Sequence, residues 1–243
     1  MTHLHVPDGV LPVWLWLGGA GVTAVLVVIA ARIASGSDFR RRLPLLSMTA
    51  AFMIVSMSIP VIPAVYHVQL AAVAGIILGP ALGIIAAFTV NLLLALVGHG
   101  GITVVGLNTL VIGAEMVAAW ALFGLLRRLL APAAAGAAAA FLAMAVGAAV
   151  MIGLVGLASP QPGWLHLTHV TTAAAEEHAA RHGGDAAQAA VYEHLSLRRF
   201  AALVIGLGFV GWLLEAAVTG LIVRFAAQVK PDLVRWSAAH ERI

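Results

Sequence analysis

Within its first nine residues the chain gathers donors that suit a transition-metal chelate, the amino group of Met1 and the imidazoles of His3 and His5, with the carboxylate of Asp8 close by. Neutral imidazole and a free amine suit Ni(II), Co(II) or Cu(II), and a deprotonated backbone amide beside such an amine favours square-planar coordination. Val6-Pro7-Asp8-Gly9 suits a type I turn, because proline presets the second position and glycine relieves the last. The tail can therefore fold back and bring its histidines toward His67, which follows the stretch "SIPVIPAVY". Asp8 is placed to orient an imidazole by accepting from its other ring nitrogen. It serves equally as a turn residue. Cysteine is absent, which excludes thiolate sites, disulfides and thiol nucleophiles together.

Other residues with chemical potential are weaker candidates. Glu115 and Glu215 each fall inside a long apolar run, where a carboxylate costs several kcal/mol unless paired, so each has either a function or an interhelical partner. His178 and His182 are spaced to share a helical face, which can bind metal, but a solvated polar face is the plainer reading. Met48, Met53 and Met57 are better read as packing than as thioether ligands. The only lysine, Lys230, is followed by proline, so no Walker A motif is possible and ATP hydrolysis is not this chain's chemistry. Glu177-His178 and Glu193-His194 lack the second histidine of a zinc-protease motif, so an intramembrane metalloenzyme is disfavoured.

The elements that must position these residues are membrane helices. Of 243 residues, 62% are hydrophobic and 9% charged, with a mean hydropathy of +1.04; soluble domains carry about a quarter charged residues. An integral membrane protein of the all-α class follows, with a lipid bilayer rather than nucleic acid as the partner of its basic residues. Roughly 20 helical residues span about 30 Å of hydrocarbon. By that ruler the spans are 11–34, 43–59, 68–97, 103–126, 133–158 and 200–229. The third is too long for one helix and contains Gly79-Pro80, which divides it into two short helices, about 66–79 and 81–97, joined by a tight turn. Seven helices result, a single membrane domain over 1–243 with a candidate metal-binding tail at 1–10. A polar, histidine-rich loop occupies 159–199.

With seven helices and the N-terminus outside, Arg32, Arg40, Arg41, Arg42, Arg127, Arg128, Arg224, Lys230, Arg235 and Arg242 all fall on the cytoplasmic side. Only Arg181, Arg198 and Arg199 fall outside. The tail, His67, the "GHGGIT" loop and the histidine-rich loop then face outward, and the C-terminus is cytoplasmic.

"HVPDGVLP" at 5–12, "YHVQLAAVAGIILGPALG" at 66–83, "GHGGITVVGLNTL" at 98–110 and "EAAVTGLIVRFAAQVKPDLV" at 215–234 form four collinear blocks. Together they resemble the CbiM/NikM family, the cobalt/nickel substrate-binding components of energy-coupling-factor transporters. The resemblance implies a seven-helix protein of the cell membrane that is not itself an enzyme. It implies Co(II) or Ni(II) as the transported ion, with no permanently bound cofactor, and binding near the outer surface. It further implies partners: a transmembrane coupling subunit, two cytoplasmic ATPase subunits and a small accessory membrane protein. The ligands it implies are the N-terminal amine, the amide and imidazole of a histidine in second place, and a histidine opening the third helix. On this chain these fall on Met1, His5 and His67, with His3 an alternative. His99, Thr103 and Asn108 belong to the loop that covers the site. The chain departs from the family by carrying Met1-Thr2-His3-Leu4 ahead of the match, which leaves three forms of the tail open. Met1 removal puts His3 second, Met1 retention gives an amine-Xaa-Xaa-His chelate ending at His3, and initiation at Leu4 puts His5 second. Glu115 and Glu215 support a rival reading as a proton-driven permease.

Overall fold

The computed structural model describes residues 11–35, 37–58, 67–98, 100–158 and 197–234. The apolar runs form six helices: α1 (Val13–Ala34), α2 (Ser37–Ser58), α3 (Ala71–Leu96), α4 (Val105–Leu126), α5 (Pro132–Ala158) and α6 (Leu197–Val229). Helix is the only regular structure among the described residues, as expected where lipid offers the backbone no hydrogen-bond partner. Five of the six are long and apolar enough to cross a membrane. The exception, α2, starts two turns before the apolar span and runs through Arg40, Arg41 and Arg42 and across Pro44. Hydropathy locates the part of a helix that suits lipid, and a basic first turn at the interface is helical without being apolar.

The expected division of the third span is present. Gly79 has φ 75° and ψ 180°, interrupting α3 just before Pro80. An L side chain rarely adopts that backbone conformation, so glycine is required there. The chain also reverses at this point. Gly75 lies against the backbone of Met116 and Gly79 faces Trp120, whereas Gly83 returns to Met116 and Ile84 to Gly113. Residues 71–78 thus run along α4 in its own direction and residues 80–96 run back against it, giving seven helical segments among the described residues.

The bundle has two distinguishable ends. At one, Leu11, Leu15, Val104, Leu107, Met151 and Val155 form a cluster with the partly buried Phe200 and Val204. The starts of α1, α4 and α6 therefore meet the end of α5. At the other, Phe123, Ala135, Ala139, Val223 and Val234 pack together, and the Arg127 Nη1 donates to the Val234 carbonyl at 3.2 Å. Arg127, Arg128, Arg224 and Lys230 share this second end. Small residues set the helix spacing, since association in lipid depends on close packing rather than on hydrophobic burial. An ideal Cβ on Gly75 would stand 2.2 Å from the Met116 carbonyl oxygen, one on Gly106 2.6 Å from Ala20 Cα, and one on Gly220 2.9 Å from the Ala133 carbonyl oxygen. Where α5 meets α6, Phe141 packs edge-on to Phe209 and Trp212.

Candidate metal centre

Polar residues converge near the middle of the bundle. Glu115 lies halfway along α4, is wholly buried, and rests against α5, where a Cβ on Gly147 would stand 3.2 Å from its Oε2. Neither of its carboxyl oxygens meets a hydrogen-bond donor. Glu215, just past the middle of α6, is equally buried. One turn further along α6, Thr219 is also fully buried, and its Oγ1 has no partner.

Unlike Glu115, Glu215 has donors, and they belong to the backbone. Its Oε1 accepts from the N–H of Leu70 at 2.6 Å and its Oε2 from the N–H of Gln69 at 3.2 Å. These two residues immediately precede α3. Leu70 has φ 57° and ψ 13° and gives the helix no side-chain cap. It is the one non-glycine residue with positive φ among those described. A helix start in a lipid-embedded bundle leaves N–H groups that water cannot satisfy. A carboxylate meets that need with charge-assisted hydrogen bonds and a favourable interaction with the helix dipole. The first half of α3 is therefore a half-helix that begins against mid-α6 and not at the end of the bundle.

His67 stands two residues ahead of Gln69 on this held segment, half-buried and with its Nδ1 withdrawn from solvent. The sequence places it in the first turn of a helix over about 66–79; α3 instead begins at Ala71, and His67 lies on the non-helical stretch that leads into it, because the left-handed turn at Leu70 delays the helix to a start sunk into the bundle. Of the ten histidines, His67 is the one that lies among the described residues. Within them no three His, Asp or Glu side chains gather as a metal site. Met1, His3, His5, Asp8 and His99 lie outside the described residues, as do His178 and His182. Of the two other predicted candidates, Thr103 is exposed ahead of α4, and Asn108 is buried in its first turn, seven residues and about 10 Å of helix rise before Glu115.

Leu11, the first described residue, packs with Val104 and Leu107 at the end of the bundle where α4 starts. From there to the depth of Glu115 is about 16 Å of α4 at 1.5 Å per residue. His5 precedes Leu11 by six residues, which can extend about 20 Å. The tail is thus long enough to bring His5 to the level of the segment carrying His67. Sequence reasoning missed the pairing of Glu215 with Gln69 and Leu70. Its signal was a carboxylate in the middle of an apolar run.

A family model described as CbiM, the cobalt uptake substrate-specific transmembrane region, matches residues 5–233. This chain belongs to the CbiM family. Two solved structures share its fold, each at 21% sequence identity. One, described as a truncated transition metal transporter, has a TM-score of 0.71 and covers 92% of this chain and 98% of its own. The other, described as a transition metal transporter, has a TM-score of 0.70 and covers 97% and 98%. No curated protein sequence matches the chain. As a CbiM protein it is a transmembrane component of transition-metal uptake, and the family match runs from His5 through the segment of His67 to the end of α6.

Proposed function

We propose that this chain is the substrate-binding component of an ATP-driven energy-coupling-factor importer of the cell membrane, capturing Co(II) or Ni(II) from outside. The observation that carries this reading is the position of His67. It sits on the non-helical stretch leading into a half-helix whose start is sunk into the bundle, within reach of the donor-rich tail. The ligands are then His67, the imidazole of His5 or His3, and the terminal amine. Asp8 orients an imidazole, and His99, Thr103 and Asn108 line the cover. The orientation is N-terminus outside, which puts the basic end of the bundle in the cytoplasm. Energy comes from other chains, because this one has no nucleotide-binding motif: a membrane coupling subunit and two cytoplasmic ATPases, with a small accessory membrane protein. No cofactor stays bound, and the metal is cargo. The Pro-Asp-Gly turn favours nickel slightly.

The test is equilibrium binding of Co(II) and Ni(II) to the purified full chain. His67→Ala removes an imidazole that no neighbouring residue replaces, so affinity is expected to fall by at least about 100-fold, roughly 2.7 kcal/mol. Wild-type affinity in that variant would overturn the reading. A proton-driven permease is kept as the second reading by the donorless carboxyl of Glu115. It predicts uptake that survives deletion of the ATPase partners and collapses with the proton gradient.

A further inference from the structure

We propose that Glu215 is the positioning residue of the metal centre. Its carboxylate, fixed on α6, grips two successive backbone N–H groups of the segment that carries His67 and thereby sets where that imidazole is presented. The proposal rests on the reading of His67 as a ligand and extends it to a residue that touches no metal. Four observations support it. Two hydrogen bonds, at 2.6 and 3.2 Å, tie mid-α6 to this segment. Both are charge-assisted and made by a wholly buried carboxylate, where such bonds are strong. Leu70 holds a left-handed conformation, which persists only where the surroundings fix it. Gln69 is buried, so the segment is held on its side-chain face as well. A single residue, Val68, separates Gln69 from His67, too little chain to let the imidazole move independently of the grip.

A helix cap and a positioning residue make the same contacts, so the experiment must separate them. The purified full-length protein is titrated with Co(II), and the visible absorption of the bound ion is recorded beside thermal unfolding without metal. In Glu215→Gln one acceptor is replaced by a donor facing an N–H. Affinity is expected to fall about 10-fold, the worth of one charge-assisted hydrogen bond. The Co(II) bands are expected to shift, because ligand geometry changes. Combined with His67→Ala, the same substitution should cost nothing further, since a residue acting through His67 has no effect once that imidazole is gone. Thr219→Val, one turn away and equally buried, should leave affinity and spectrum unchanged.

Several results would overturn the proposal. One is wild-type affinity and spectrum in a Glu215→Gln protein, whether or not it melts earlier, which would leave Glu215 a helix cap only. Another is additive losses in the double variant, and a third is a loss in Thr219→Val equal to that in Glu215→Gln. Wild-type affinity in His67→Ala would instead refute the ligand reading beneath it. If Glu215→Gln does not fold, Glu215→Asp keeps the charge but draws both oxygens back by one methylene, and it is judged by the same criteria.

Discussion

An amine ligates a metal only when it is free and close, so the N-terminal tail makes a demand that no other part of the chain makes. Extending the N-terminus with a tag, with His3 and His5 intact, should weaken Co(II) and Ni(II) binding by at least about tenfold, or 1.4 kcal/mol. The same tag after Ile243 should not, and calorimetry on the two tagged proteins decides. Equal affinities would remove the amine from the site. At this scale the position of His67 ahead of α3 was legible in the sequence, whereas the ligand roles of His67 and the tail histidines were read from the family resemblance, since histidines in a polar tail or at the edge of an apolar run are common. Glu215 was visible as a carboxylate out of place, but its role was not, since its partners are two N–H groups 145 and 146 residues away. Every residue but proline has an N–H, and sequence does not say which ones lack a partner.

Helix boundaries depend on two kinds of signal, and only one is written in side chains. Gly79-Pro80 announced its break, because proline cannot continue the preceding turn. The early start of α2 and the sunken start of α3 carried no such mark. The first is a matter of interface chemistry, the second of packing against a helix much later in the chain. The glycines of α3 allow two different failures to be compared. Gly79→Ala meets nothing closer than 3.8 Å, at the Trp120 ring, so its cost is backbone strain, about 1–3 kcal/mol. Gly75→Ala would drive a Cβ to 2.2 Å from the Met116 carbonyl oxygen, which no rotamer change relieves. Separation of α3 from α4 is then the only response, at a cost at or above about 3 kcal/mol. Thermal unfolding in detergent should rank both below the wild type, with Gly75→Ala lower. The reverse order would contradict the close approach of α3 and α4.

At the scale of the whole molecule, the charge asymmetry along the bundle predicts its setting in the membrane. In this cysteine-free chain, Ala187→Cys should react with an impermeant thiol reagent from outside intact cells, and Leu129→Cys, at the basic end, only after the membrane is opened. Labelling of both from one side would refute the seven-segment topology. The fold class and the count of segments were legible because lipid reduces the choice of structure to one periodicity and one length. How the segments nest was not, because Ala, Gly and Leu pack against one another in many registers. The nesting also bears on how the protein is made. Residues 71–78 form a helix of only about 12 Å, far short of the hydrocarbon thickness. During synthesis this stretch cannot settle in the bilayer alone and must enter paired with residues 80–96 as a hairpin. Even then the N–H groups of Gln69 and Leu70 wait for a carboxylate that the ribosome has yet to reach. His67 is among the earlier residues to be translated, but its seat is finished only when the last helix arrives. A chain truncated before α6 would keep most of its membrane segments and leave the start of α3 with two unanswered donors. Incomplete copies would thus carry an unanswered polar fault at the place where complete ones hold the segment of His67.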